Sequence, residues 1–142
     1  MNRLELQQLT RERVRDARAL LAYGQWSGAY YMAGYALECA LKSCILKHLH
    51  DTGIIFKDKK YLDKLAKCWT HDLAQLLELA GLTADFGRAC GANSQLNTYW
   101  GVARDWEEVS RYEQKAESEA RELFKAITNV PDGVLPWIQS RW

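Results

Sequence analysis

The chain has 142 residues, 48% of them hydrophobic, enough for one globular domain with a core of useful size. With 26% charged residues, nine Gly and two Pro it is neither disordered nor loop-dominated, and a net charge of +1 excludes capture of polyanions by a global field. No apolar run is long enough to span a bilayer. Met1-Asn2-Arg3-Leu4-Glu5 lacks the apolar core and cleavage site of a secretory leader, so a cytoplasmic protein without membrane contact is expected.

Nearly every segment reads as helix, because Pro is absent until Pro131 and no stretch sustains a period of two. The first helix is expected from about Leu4 to Tyr23, with Leu6, Leu9, Ala17, Leu20 and Leu21 along one side and Gly24 as its stop. Arg11, Arg15 and Arg18 share the opposite face. The second helix is expected from about Ser27 to Leu49, with Ser27 as N-cap. Gly28, Ala29, Ala33, Gly34, Ala36 and Ala40 keep its surface low, which favours close approach of another backbone and a place in the middle of a bundle.

Asp51 to Phe56 reads as a connection with a turn at Thr52-Gly53, followed by a polar helical excursion from Lys57 to Lys67. Thr70 is read as the cap of a short helix, His71 to Ala80, stopped by Gly81. Thr83 caps another turn or two before Gly87, Gly91 and Asn93-Ser94 blur the pattern. Helix resumes near Asn97 and breaks near Ser110. Glu113 to Thr128 forms the last long helix, burying Ala116, Ala120, Leu123, Phe124 and Ile127. Pro131-Asp132-Gly133 turns the chain, and the tail packs back through Val134, Leu135, Trp137 and Ile138. The expected fold is all-α: an up-and-down bundle of four main helices with additional short ones, one domain over residues 1–142.

Cys39, Cys44, Cys68 and Cys90 form no CxxC pair and read as reduced, buried thiols. Cys44 and His48 have a ligand-compatible i, i+4 spacing, with His71, Cys68 or His50 as distant complements. The paired short spacings of a zinc site are missing, so neither metal nor cofactor is expected.

The polar constellation lies in the second helix. Advancing about 100° per residue, Tyr31, Tyr35, Glu38 and Lys42 fall within about 60° of one another. A carboxylate on so apolar a helix needs partners. Lys42, at i+4, supplies one in the favourable order. Either the two make a simple pair at the bundle edge, or Glu38 lines a groove and orients a cation from another helix. Arg111, in Trp106-Glu107-Glu108-Val109-Ser110-Arg111-Tyr112-Glu113, is the leading cation. It would pair with Glu38 or face phosphate, unless it is simply an exposed arginine.

The run Gly28-Ala-Tyr-Tyr-Met-Ala-Gly-Tyr-Ala-Leu-Glu-Cys-Ala-Leu-Lys42, preceded by Arg15-Asp16-Ala17-Arg18-Ala19-Leu20-Leu21, resembles the start of a HEPN (higher-eukaryote and prokaryote nucleotide-binding) domain. His71-Asp72-Leu73, Trp106 and Arg111-Tyr112 are similar to further landmarks of single-domain prokaryotic members, so the resemblance covers roughly residues 10 to 128. It implies a helical bundle, commonly dimeric. Many members are metal-independent ribonucleases, often toxins encoded beside a nucleotidyltransferase antitoxin; others bind nucleotides, RNA or protein partners without catalysis. The nucleases carry an Arg followed a few residues later by a His that assists attack of the 2′-hydroxyl.

Here the only histidines are His48, His50 and His71, and none follows an Arg at that interval or lies beyond Arg111. Tyr112 and Glu113 begin far from the ideal pKa for a proton shuttle, so no catalytic residue is assigned. The reading is a non-catalytic HEPN-like binding module contacting RNA, a nucleotide or a partner nucleotidyltransferase, as in a toxin–antitoxin-type system. Its groove would contain Tyr31, Tyr35, Glu38, Lys42, Arg111 and Tyr112. The alternatives are a ribonuclease toxin with an atypical site and a protein-interaction bundle with no nucleic-acid role.

Charge is unevenly placed. Residues 42–67 hold seven Lys against three Asp, and residues 105–122 hold seven acids against three bases. These are solvated faces, or a basic surface for phosphate together with Arg11, Arg15 and Arg18, or patches that complement each other in a dimer. Six Trp and the cluster of Tyr30, Tyr31 and Tyr35 exceed what one small bundle easily hides and favour a homodimer.

Overall fold

The computed structural model describes all 142 residues and contains helices and turns but no strand. Eight α-helices follow in order: α1 (Arg3–Ala22), α2 (Trp26–Thr52), α3 (Lys59–Leu65), α4 (Leu73–Leu79), α5 (Thr83–Ala92), α6 (Ser94–Ala103), α7 (Glu117–Thr128) and α8 (Val134–Gln139). Single 3₁₀ segments at Ile54–Phe56 and Glu108–Tyr112 join them. The all-α bundle expected from the sequence is the fold observed.

Local chemistry accounts for most helix ends. Asn2 and Glu5 form a reciprocal capping box at α1, with backbone-to-side-chain bonds of 2.9 and 2.7 Å. Gly24, at φ 72°, ends it by leaving the right-handed region, and Gln25 N–H then donates back to Leu20 O at 2.8 Å. Asp58, Asp72 and Asn93 cap α3, α4 and α6 through their side chains.

Several expected caps and boundaries need correction: α5 runs through Gly87 and Gly91 to Ala92, α6 starts at Ser94 rather than near Asn97, and Ala116, expected in the buried stripe of the last long helix, is exposed. Ser27 does not cap α2: the helix starts one residue earlier, and the Ser27 hydroxyl accepts the Lys115 N–H at 2.9 Å, tying the approach to α7 onto the start of α2. Asp72, not Thr70, caps α4, because a carboxylate reaches the Gln75 N–H while Thr70 Oγ1 accepts from Asp72 N–H. The last long helix begins at Glu117 rather than Glu113, since residues after the 3₁₀ segment run extended until Glu119 accepts from Ala116 N–H.

α2 is the axis of the bundle. It packs along α1 over the greatest length, against α7 on another side, and against α4, α8 and the Glu108–Tyr112 segment elsewhere. Its small residues have the expected purpose. Ala29, Ala33, Ala36 and Ala40 are fully buried, and the Gly34 backbone lies under the indole of Trp106, where an added Cβ would fall 2.2 Å from the ring. Leu37, Leu41, Leu73, Leu76, Leu123, Ile127 and Ile138 fill the core between these helices. The tail does pack back: Val134, Leu135 and Ile138 are buried, and Trp137 meets Phe86 edge-to-face at 4.8 Å. No helix is long and apolar enough to cross a membrane.

Candidate functional site

One face of α2 is only partly covered, and the Tyr31, Tyr35, Glu38 and Lys42 stripe lies there. Glu38 is the most constrained polar group of the molecule, at 1% exposure. Its Oε1 accepts from Lys42 Nζ at 2.8 Å, the intrahelical pair expected from the spacing. Its Oε2 takes the Nδ1 of His71 at 2.9 Å, from the loop ahead of α4. A carboxylate can only accept, so the bond requires His71 to carry its proton on Nδ1, which turns Nε2 away from Glu38. Two half-exposed groups are thereby fixed on one buried anion, and both of its oxygens are satisfied.

Arg111 does not meet Glu38, one of the pairings that the sequence left open for it. The 3₁₀ segment delivers it to the other end of the stripe. There it pairs with Glu108 at 2.8 Å and lies over the ring of Tyr112 at 4.8 Å. Desolvation weighs against its charge, but Glu108 and the hydroxyls of Tyr112 and Tyr31 outweigh it and hold the guanidinium above its ordinary pKa. Tyr31 joins the stripe to this part of the chain through Trp106, just ahead of the segment that carries Arg111. It stacks on Tyr35, with ring centres 6.1 Å apart and planes 9° from parallel, and leans on Trp106 at 6.1 Å. Burial, then the charges of Cys39 and Glu38, raises the pKa of Tyr35, so its hydroxyl stays a neutral donor. Trp106 Nε1 and Ser110 Oγ, in the segment that carries Arg111, are buried without a hydrogen-bond partner.

From Tyr35 onward the same face of α2 becomes the floor of a groove of about 480 Å³. Leu6 and Leu9 of α1 form one wall and Leu65, Cys68 and Trp69 the other. Cys39, Ile45, Leu46 and Leu49 lie on the floor, with Glu38 and Lys42 as its polar members. Burial, with Glu38 adding to it, pushes the Cys39 thiol up to about 11, so this sulfur is an apolar wall atom at neutral pH.

The expected basic surface on α1 is dispersed. Arg11 lies over Trp142 at 5.2 Å and Arg18 over Phe124 at 5.7 Å, so both cap aromatic rings of the tail and α7, while Arg15 is exposed. None of the three lines the groove. All four cysteines are unbridged, Cys39 and Cys44 buried and Cys68 and Cys90 half-buried. His48 packs edge-on against Tyr61 at 5.5 Å.

His71, named in the sequence only as a distant metal complement and a family landmark, is the site residue whose place beside Glu38 sequence reasoning missed. The available signal was stoichiometric: a buried carboxylate has two oxygens to satisfy, Lys42 satisfies one, and a second donor had to come from outside the helix.

Fold and site together define an all-α bundle whose central helix presents an aromatic and cationic end, a carboxylate-centred polar junction and an apolar groove. No protein-family profile, curated protein or solved structure matches the chain.

Proposed function

We propose that the chain is a HEPN-like, non-catalytic binding module that holds a phosphate-bearing ligand, RNA or a nucleotide, along the Tyr31–Lys42 face of α2. The observation that carries this reading is the pairing of Lys42 and His71 on one buried carboxylate. It fixes Lys42 Nζ, with two N–H donors left over, and the His71 ring at one spot on an otherwise aromatic face. Arg111 offers a second cation about 16 Å away along the helix, measured from Tyr31 to Lys42 at the α-helical rise. Tyr31, Tyr35 and Tyr112 lie between or beside them as surfaces on which bases stack. The spacing suits two phosphates of one short single strand better than a single mononucleotide phosphate.

The module acts as a cytoplasmic homodimer in this reading. Its basic stretch 42–67 meets the acidic stretch 105–122 of a second copy, and a nucleotidyltransferase of a toxin–antitoxin pair is the protein partner the family resemblance points to.

The test is binding of a fluorescent single-stranded RNA to the purified chain at low salt. Lys42→Ala and Arg111→Ala each weaken it about ten-fold, the cost of one charge-assisted contact. Binding untouched by both substitutions rejects the site.

One observation favours a second reading, a metal-independent ribonuclease with an atypical site. The sequence provides no His after Arg111, but His71 on Glu38 is an imidazole held by a carboxylate, an arrangement suited to accept the 2′-hydroxyl proton as that oxygen attacks phosphorus and the 5′-oxygen departs. RNA incubated in chelator with wild type and His71→Ala decides between the two: cleavage lost in the variant replaces the non-catalytic reading, and intact RNA in both retains it.

A further inference from the structure

The groove beyond Lys42 is unused by the function proposed above, and its shape and lining suit a different kind of ligand. Its volume of about 480 Å³ lies within the range of roughly 300–1,000 Å³ typical of small-molecule sites. An apolar groove of this volume accommodates an alkyl chain.

We propose that this groove binds the acyl chain of a fatty carboxylate, with the carboxylate on Lys42 and the chain along Leu46 and Leu49 between Leu9 and Leu65. The sign of the head group follows from the hydrogen bonding. Both oxygens of Glu38 are taken by Lys42 and His71, and Lys42 is the one basic side chain on the groove lining, so the hydrogen-bonding capacity left there is for an anionic head. Lys42 is partly exposed and spends one of its three donors on Glu38, which leaves two for an incoming anion. The groove is apolar along the rest of its length, including the un-ionised Cys39 thiol. Trp69, 84% exposed beside the opening, offers an indole to cover a bound chain. This site shares Lys42 with the phosphate-binding face but does not depend on it.

The full-length chain is titrated calorimetrically with octanoate, decanoate and laurate below their micellar concentrations, and with dodecanol and dodecylamine as head-group controls. The expected result is affinity rising about four-fold per added methylene, the gain from burying each in an apolar site. Laurate binds about ten-fold tighter than either control. Lys42→Ala removes that preference while chain-length dependence persists, and Leu46→Trp, which fills the floor, abolishes binding of every chain. Arg111→Ala leaves laurate binding intact, and Leu46→Trp leaves RNA binding intact, so failure of one reading is distinguishable from failure of the other. Absence of binding by all three acids, affinity independent of chain length, or equal binding of dodecylamine overturns the proposal. The wild-type chain-length series decides the matter even where Leu46→Trp fails to fold.

Discussion

Glu38 illustrates how one buried charge organises its neighbours. An unpaired carboxylate at 1% exposure would cost several kcal/mol, yet two donors from different elements satisfy it. Glu38→Gln keeps the volume but replaces one acceptor oxygen by an NH₂ donor, so the Lys42 and His71 bonds cannot both survive. Imidazole ¹⁵N spectra are expected to lose the Nδ1-protonated signature of His71 in this variant, and RNA affinity is expected to fall along with it. An unchanged tautomer would mean that the Glu38–His71 bond is not formed in solution. The thiols give a second prediction at this scale. Burial holds both Cys39 and Cys44 up at about 11, above their ordinary value near 9, so folding favours their protonated forms. That contribution is complete below about pH 9 and is lost as pH rises toward 11; the half-buried Tyr30 and Tyr35 and the buried Tyr61, also raised, act in the same direction at higher pH. Melting temperature should therefore decline from pH 9 upward. Alkylation of the native protein at pH 8 should spare Cys39 and Cys44 until the chain is unfolded, and rapid labelling of either would contradict their placement.

At the scale of elements, the contact between α2 and the segment after α6 is the tightest constraint in the fold. Gly34 exists to admit Trp106. Gly34→Ala places a methyl 2.2 Å from a buried indole that has no room to move, and is expected to destabilise by about 2–3 kcal/mol in urea unfolding, the upper range for overpacking. A cost below about 0.5 kcal/mol would mean that Trp106 is not seated there, on the usual scale of surface substitutions. The same segment carries a compensating liability. Ser110 Oγ is buried without a partner, so Ser110→Ala is expected to be neutral or to stabilise by up to about 1 kcal/mol, because it removes an unsatisfied polar group. These two variants bracket the segment that positions Arg111 and Tyr112, and Gly34→Ala should also reduce RNA binding by displacing both.

For the whole molecule, a net charge of +1 leaves local cations to dominate any binding of phosphate. Two phosphate contacts on a single strand give a slope of about −1.4 in log affinity against log salt, at about 0.7 per contact. Arg111→Ala is expected to halve that slope. A slope near zero would exclude phosphate recognition whatever the measured affinity. Sedimentation should report about twice the monomer mass of 16.3 kDa, shifting toward monomer as salt rises, because paired surface charges are screened within about 10 Å at 0.1 M. A dimer indifferent to salt would indicate that exposed apolar residues such as Phe56 and Trp69, rather than the charge patches, form the interface.

The amino-acid sequence by itself determined the all-α class, most of the helices in their order, the low surface of α2 and the Glu38–Lys42 pair. Each depends on groups within a turn or so of one another: apolar periodicity, caps, glycine stops and an i, i+4 spacing. The misplaced cap at Ser27 and the late start of α7 fall where tertiary contacts compete with local signals, the Ser27 hydroxyl being claimed by Lys115 across 88 residues of chain. Only the tertiary structure decided the partners of the site. Whether Glu38 meets Arg111 or His71 depends on the path of the chain after α2. The loop ahead of α4 returns to the middle of that helix, and the 3₁₀ segment returns near its start. Tyr31 and Glu38 are seven residues apart, about 10 Å along the axis, and that separation assigns the imidazole to the carboxylate and the guanidinium to the tyrosines.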